Sequence, residues 1–434
     1  MKTDSPTVKK SSLRLQFFLA AQYGWKVKTA DVTSAFLQAG EMLDRDVYVK
    51  PPSDIHVEGW LWKLRVPVYG LGDAGKRWYV TISIWLVKQG CRKAKTDASL
   101  FFFVKNGVLH GVLTLHVDDM NYCGSRTFEE EVIKPMFAKF KFGKILDGDF
   151  KTLGWNVEHV QGKIYVSQTD YIHSKLDFLK VQQEGLHQEK TPLTPENKSE
   201  LRKLVGKLRW CTDQSRPDGA WEELWLSMSV SNPTVGTLNM ANSLVNRIKG
   251  CEVKICYKKL RGQKWLISVF SDAAVGGLPD NASSAMGVVI FISNGYVPKH
   301  RNDCCVISWK SAKIRRVVSA SYDAEVLALS EGLEEAIVLR DLLLEMTGMP
   351  TDMLEIEGFV DNHDTVEAIR ACKNFHKGKR IGLEVAKIKE MLDRQEVKNV
   401  TWLPKELQIA DCLTKRSSSK IPLLQALEQG KFMN

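Results

Sequence analysis

The sequence is poor in the features that would assign it a class directly. Its nine cysteines are odd in number, scattered, never spaced as Cys-x-x-Cys and never grouped with histidine, which leaves no basis for a disulfide framework or a zinc site. That usage fits a reduced, intracellular compartment. No window is long and apolar enough to cross a bilayer, and the amino-terminal apolar stretch is broken by Arg14 and Gln16 without a small-residue cleavage pattern, so neither a membrane span nor a secretion signal is read. There is no internal repeat and no low-complexity tract. Acid is the minority charge: 51 Asp plus Glu face 61 Lys plus Arg, a formal +10. The balance favours a polyanionic partner without requiring one. With 434 residues, 44% of them hydrophobic, the chain has material for two or three domains with real cores.

Against this basic background some of the acids stand together. GVLTLHVDDMNYCG (111–124) sets Asp118 and Asp119 side by side at the end of an alternating apolar run. A second alternating stretch, WKVKTADV (25–32), also finishes in acid, at Asp31. Carboxylates drawn together repel unless cations lie among them, and Mg²⁺, which takes hard oxygen ligands and shares its shell with phosphate oxygens and water, is the usual answer. The bland reading of an isolated Asp-Asp pair is a turn with solvated side chains.

The remaining pattern supplies the frame. A helix is expected from about Ser12, stopped at Gly24. LFFFVKNGVLHGVLTLHVDD reads as two strands about Asn106-Gly107, and KTLGWNVEHVQGKIYVSQTDYI as another hairpin. The polar stretch VQQEGLHQEKTPLTPENKSE reads as a linker, followed by a helical region over roughly 198–250. From Trp265 three strands are expected (to Ser271, Met286–Ser293, Cys305–Trp309), then a long helix from about Ser321 to Met346 whose stripe is Val326, Leu329, Leu333 and Ile337. A strand at Glu357–Val360, two helices, a strand at Val400–Leu403 and a last helix complete a mixed sheet covered by helices.

Taken in order, ADVTSAFLQAG (30–40), VYVKPP (47–52), VYGLGDAGKRWY (68–79), LHVDDM (115–120) and LGWNVEHVQGKIYVSQTDYI (153–172) resemble successive motifs of the copia-type retrotransposon reverse transcriptase. LVGKLRWCTDQSRPD (204–218) resembles its connection region. FSDAAVGG (270–277), SWKSAK (308–313), SASYDAEVLALSE (319–331), VDNHDTVEAI (360–369) and QIADCLTK (408–415) resemble its RNase H domain. Each piece alone is weak; the ordered series, over nearly the whole chain, is specific.

The resemblance implies two catalytic centres. Asp31 and Asp118, with Asp119 beside them, are implied as polymerase metal ligands, and Asp272, Glu325, Asp361 and Asp411 as the RNase H carboxylates, the last on the final helix. Each centre is expected to hold two Mg²⁺ ions, with Mn²⁺ as a substitute. Phe36 is implied beneath the nucleotide sugar, where a rigid ring would collide with a ribose 2′ hydroxyl. Asp73, Lys76, Arg77 and His116 are implied near the substrate: Asp73 stands where the family carries glutamine, and His116 where it carries tyrosine. Asp323 and Asp364 are expected as solvated neighbours. Lys63, Arg65, Lys76 and Arg77 with Trp62, Trp78 and Tyr79, and KIRR at 313–316, are candidates for phosphate or base contacts, with Trp78 equally readable as core.

The implied fold is an α+β polymerase palm with a helical connection, then an α/β RNase H-like domain with a mixed five-stranded sheet and helices. The division expected is 1–180 for the palm and thumb portion, with the family's upstream fingers missing, 181–262 for linker and connection, and 263–434 for the RNase H-like domain. The implied function is RNA-directed DNA synthesis plus cleavage of RNA in RNA–DNA hybrids. Its partners are an RNA template, a DNA primer, deoxynucleoside triphosphates, the hybrid and other parts of the element's polyprotein. No membrane is involved, and the expected location is cytoplasmic particles and the nucleus. Two alternatives stay open: hybrid cleavage alone, with a crippled polymerase, and a non-catalytic remnant that binds nucleic acid.

Overall fold

The apolar stretch near the amino end folds as helix α1 (Lys10–Tyr23), and Gly24 closes it in the left-handed region with its N–H on the Ala20 carbonyl. The computed structural model describes residues 4–42, 44–180, 189–295, 302–318, 320–371 and 379–432. It divides into two compact units, Met1–Leu153 with Glu345–Gly348, and Gly154–Leu344 with Met349–Asn434.

In the first unit α1 is followed by β1 (Lys28–Val32), a ribbon of β2 (Tyr48–Val49) and β3 (Trp62–Lys63), and helix α2 (Ala74–Lys88). Strands β4 (Cys91–Lys93), β5 (Leu100–Lys105), β6 (Val108–His116) and β7 (Asp119–Gly124) come next. A helical stretch then runs from α3 (Arg126–Phe128) through a π-turn to α4 (Lys134–Lys139), before β8 (Phe142–Asp147) and the short β9 (Phe150–Thr152). Six strands form one sheet in the order β4-β5-β6-β7-β1-β8, every pair antiparallel. The β5–β6 hairpin turns at Asn106 and Gly107, whose φ values of +53° and +76° are those of a type I′ turn. Strand alternation sends Leu113, Leu115, Met120 and Tyr122 to a core shared with Trp78, Ile82 and Leu86 of α2. The opposite face meets α1, where buried Gln16 donates to the Val112 and Asn121 carbonyls at 3.1 and 3.0 Å.

The two adjacent acids do not both end a strand, as expected from the sequence. β6 stops at His116, Val117 and Asp118 make the turn, and Asp119 opens β7. Strand β7 has no polar-apolar alternation because Met120 to Cys123 are buried on both sides of the sheet.

The second unit begins with β10 (Trp155–Val160), β11 (Lys163–Ser167) and α5 (Thr169–Lys175). Residues 181–188 of the expected linker lie outside the described residues. Helices α6 (Pro195–Gln214), α7 (Ala220–Ser229) and α8 (Val235–Gly250) follow, and β12 (Ile255–Tyr257) pairs with β11 beside β10. Thr194 caps α6, its hydroxyl accepting the Asn197 N–H at 3.3 Å with Pro195 at the first helical position. Between α6 and α8, Arg216 is 1% exposed and its guanidinium grips Asp218 at 2.8 and 2.9 Å. The same guanidinium donates to the carbonyls of Ile248 and Cys251 at 2.7 and 2.9 Å, and Arg247 reaches Asp218 at 2.6 Å.

A mixed five-stranded sheet forms the rest: β13 (Trp265–Ala274), β14 (Ala285–Ser293), β15 (Cys304–Lys313), β16 (Leu354–Val360) and β17 (Asn399–Trp402), in the order β15-β14-β13-β16-β17. The first three are antiparallel, and β16 and β17 run parallel to β13. This is the sheet expected of an RNase H-like domain. Its helices are α9 (Ser321–Thr347), α10 (His363–Ala371), α11 (Lys379–Asp393) and α12 (Ile421–Gln429). Val326, Leu329 and Leu333 of α9 are fully buried and Ile337 half-buried. The eight described cysteines are all free, and no described helix is long and apolar enough to cross a membrane.

Candidate active sites

The first centre follows from sheet order. β1 lies beside β7, so Asp31 stands directly opposite Asp119, and the Val32 N–H donates to the Asp118 carbonyl at 3.0 Å. Asp31 is exposed while Asp118 and Asp119 are half-buried. Burial pushes the Asp119 carboxyl up, the charges of Asp118 and Asp31 push the same way, and His116, its hairpin partner, opposes them. The turn that carries Asp118 is strained. Val117, a β-branched residue, sits at φ +61°, and a positive φ at the first central position alone is the mark of a type II′ turn, where glycine is preferred. What holds it is Trp78, fully buried, whose indole N–H donates to the Val117 carbonyl at 2.9 Å and whose ring meets Phe140 edge-on at 5.4 Å. Trp78 is therefore core and turn support rather than a base contact.

Around this centre, Phe36 is half-buried in a short 3-10 turn (Ala35–Gln38), and its ring lies 4.6 Å from that of Tyr69. Asp73 is buried and faces two cations, Arg45 at 2.6 Å and Arg77 at 2.7 Å. Burial works to raise its carboxyl, but the hydrogen bond and charge of Arg77, with Arg45, more than reverse this and hold it below the usual range. Its anion is thus taken up within the protein. Arg77 also grips Asp44 with two bonds of 2.8 Å, Lys63 pairs with Asp46 at 2.7 Å, and Lys76 is half-buried.

The second centre gathers more tightly. Asp272 comes from β13, Asp361 from the end of β16, and Asp411 from a 3-10 turn at Ile409–Leu413; their carboxylate oxygens lie within 4.8 Å of one another. Among the described residues no other trio of His, Cys, Asp or Glu gathers its ligand atoms so closely. The expected final helix for Asp411 is corrected: α12 begins only at Ile421. Gln408 starts the turn instead, its side chain accepting the Ala410 N–H at 3.2 Å and donating to the carbonyls of Ser271 and Phe359 at 3.0 and 3.4 Å. The turn lies flat on β14. A Cβ at Gly287 would meet Leu413 Cβ at 2.7 Å and the Ala410 carbonyl at 2.9 Å.

Glu325, on the second turn of α9, lines the same cleft of about 420 Å³ with Asp272 and Asp361. One of its oxygens accepts the Ala273 N–H at 3.3 Å; the other is buried without a hydrogen-bond partner. Burial pushes Glu325 up to about 9, with Asp272 and Asp361 adding, and pushes Asp272 up to about 6 against the pull of Lys415 and Thr414. Asp361 is raised, again by burial first. Asp411 ends below its usual range because its bonds to Lys415 and Ser418 outweigh burial. These are oxygen-only donors, crowded, desolvated and in one case orphaned, a set that suits a hard divalent cation.

Lys415 was not singled out by sequence reasoning. Its ammonium lies 2.5 Å from Asp411 and 3.3 Å from Asp272, and the signal was its place four residues after Asp411 in QIADCLTK. Thr414 and Ser418, hydrogen-bonded to Asp272 and Asp411, were missed for the same reason. Asp364 is exposed as expected, but Asp323 is 7% exposed, in the first turn of α9 where the helix's positive end favours a carboxylate. In the KIRR run, Lys313 pairs with Asp280 at 3.3 Å and Arg316 with Glu384 at 2.8 Å.

Comparison with known proteins adds an independent finding. Residues 1–195 match the family described as reverse transcriptase (RNA-dependent DNA polymerase). Over 95% of its length the chain is 27% identical to the retrovirus-related Pol polyprotein from transposon TNT 1-94 of Nicotiana tabacum, covering 31% of that protein. It is 27% identical to the Pol polyprotein from transposon RE1 of Arabidopsis thaliana and 23% to the transposon Ty1-ER2 Gag-Pol polyprotein of Saccharomyces cerevisiae, covering 28% and 24% of them. The chain thus spans less than a third of the length of these relatives. These matches to transposon Pol polyproteins agree with the copia-type resemblance carried by the ordered motifs. Among solved structures, the chain is 22% identical to an RNase H1 named LC11 in complex with RNA/DNA hybrid, over 35% of this chain and 94% of that one, with a TM-score of 0.25. RNase H1 from Halobacterium salinarum is 18% identical over 34% of this chain and 94% of that one, with a TM-score of 0.24.

Proposed function

We propose that the chain is the polymerase and RNase H portion of a copia-type polyprotein, copying RNA and DNA templates into DNA at one centre and hydrolysing the RNA strand of hybrids at the other. The observation that carries this reading is that acids far apart in sequence converge twice, once in each unit: Asp31 on Asp119, and Asp272 on Asp361 and Asp411. The first unit is read as the polymerase palm. Asp31, Asp118 and Asp119 are assigned to Mg²⁺ there, and Asp272, Glu325, Asp361 and Asp411 to Mg²⁺ in the second unit, two ions per site with Mn²⁺ as a substitute. When bound, such ions activate the attacking oxygen and stabilise the leaving one in phosphoryl transfer.

The chain's own residues do the positioning. Trp78 and the β6–β7 turn fix Asp118, and Phe36, backed by Tyr69, is assigned to exclude a ribose 2′ hydroxyl and so to favour deoxynucleoside triphosphates. Gln408 ties the Asp411 turn to the strand ends that carry Asp272 and Asp361. Lys415 supplies a fixed positive charge beside the acids, where it offsets their repulsion and can meet a phosphate oxygen. RNA template, DNA primer, hybrid and the rest of the polyprotein are the partners, inside the cell.

Primer extension on an RNA template, dependent on Mg²⁺ and abolished in Asp118→Asn, tests the first centre; hybrid cleavage abolished in Asp272→Asn tests the second. A mutant that matches its parent overturns the corresponding assignment. A second reading, hybrid cleavage without extension, draws support from the tighter gathering of the second trio, and is the outcome if the unmutated chain cuts hybrids and extends nothing.

A further inference from the structure

Away from the Asp272 centre, the second unit has a basic cleft of about 600 Å³ that none of the assigned roles uses. Three stretches distant in sequence supply its cations. Lys163 opens β11 directly after the Gln161-Gly162 turn, Lys258, Lys259 and Arg261 follow β12, and Lys431 follows α12. Among the described residues that line it, only Asp303 and Glu428 oppose these five. Asp303 is consumed by Lys258, at 2.7 Å with both side chains nearly buried, and Lys258 also donates to the Gln429 carbonyl at 3.1 Å. Lys163, Lys259, Arg261 and Lys431 are exposed and make no ion pair among the described residues. Glu428 is the other acid of the described lining, so five cations against two acids leave an excess of three positive charges on one concave surface, a repulsion that an anionic partner relieves.

Register places the cleft. Asp303 directly precedes Cys304, which pairs across β14 with Ser293 and so stands level with Leu266 of β13. Asp272 stands level with Gly287 and Ser311. The two positions are six residues apart along β13, about 20 Å at the strand rise. A single small anion bound in the cleft would have no connection with the carboxylates over that span. A nucleic-acid backbone would, since its phosphates recur every ~3.4 Å along each strand.

We propose that this cleft binds backbone phosphates of an RNA–DNA hybrid duplex whose RNA strand occupies the Asp272 cleft, so that Lys163, Lys259, Arg261 and Lys431 supply affinity without sequence preference. The proposal deepens the hydrolase reading and rests on it for the identity of the duplex. The test uses the full chain and the triple variant Lys163→Gln/Lys259→Gln/Arg261→Gln, with a labelled hybrid, anisotropy in EDTA across a salt series, and cleavage in Mg²⁺. With three phosphate-binding cations removed, the slope of log affinity against log salt should fall by roughly 2–3, and affinity by tenfold or more at low salt. The cleavage rate at saturating hybrid should stay unchanged, and the charge-keeping triple Lys163→Arg/Lys259→Arg/Arg261→Lys should restore the slope. Unchanged affinity and slope in the Gln variant overturn the proposal, as does a parent chain that fails to bind hybrid, or one in which inorganic phosphate competes at the concentration of hybrid phosphates. A parent that binds hybrid with the steep, cleft-dependent slope but never cuts it overturns the hydrolase reading and leaves the cleft assignment standing.

Discussion

Replacing Glu325 by glutamine separates what this residue does for stability from what it does for chemistry. Glu325 is 3% exposed, one carboxylate oxygen has no partner, and burial, then Asp272 and Asp361, push it up to about 9. The native state therefore keeps a proton that the unfolded chain has released. The stabilisation it contributes is whole below the ordinary carboxylate range and is lost as pH rises towards 9. One extra bound proton gives a slope of roughly 1 kcal/mol per pH unit, so metal-free parent loses about 2–3 kcal/mol between pH 6 and pH 8 through this group. Converted at the ~2–4 °C per kcal/mol usual for domains of this size, its midpoint should fall about 5–10 °C further over that interval than that of Glu325→Gln. Glutamine keeps the acceptor for the Ala273 N–H and carries no charge to desolvate. Thermal unfolding followed by circular dichroism in EDTA at pH 6, 7 and 8 measures the difference. Added Mg²⁺, which favours the deprotonated acids, should recover the parent and not the variant, and hybrid cleavage should be lost in the variant. Parallel pH curves for the two proteins, or full cleavage by Glu325→Gln, would refute the reasoning.

Asp218→Asn leaves the buried Arg216 guanidinium without its counter-charge and should destabilise the second unit by about 3–5 kcal/mol in urea unfolding, since breaking a buried pair strands the other ion; a loss below 1 kcal/mol would show that the carbonyls of Ile248 and Cys251 suffice. Val117→Gly relieves a β-branched residue from φ +61° and should raise stability of the first unit by about 1 kcal/mol while lowering primer extension, because the turn carrying Asp118 gains freedom. Trp78→Phe removes the bond to the Val117 carbonyl but keeps an aromatic core residue; about 1 kcal/mol of stability and much of the extension activity should go, with hybrid cleavage untouched.

Much of the architecture is readable from the sequence where local chemistry and burial agree. The Asn106-Gly107 turn, the Gly24 stop and the stripe of α9 each carry a signal that depends only on neighbouring residues. β7 escapes because a strand buried on both faces shows no period of two. The setting of Asp411 escapes for a different reason. Its short turn is stabilised by Gln408 reaching two other strands and by contact with Gly287, both set by tertiary packing that no local pattern announces. The acids of the second centre are recognisable from their motifs, whereas Lys415, a cation, has no place in a search for clustered acids. Asp323 looks solvated in sequence because nothing there shows that the first turn of α9 faces inward.

The turn at Ile409–Leu413 must press against Gly287 before Asp411 can reach Asp272. A ribosome translating this chain has delivered β13 to β16 and three of the acids well before that turn emerges, and domains tend to fold as they are released. Asp31 and Asp119, by contrast, need only the first unit. The direction of translation therefore sets an order on the two centres: the one read as copying can assemble first, and the one read as cutting stays incomplete until nearly all of this sequence has been made.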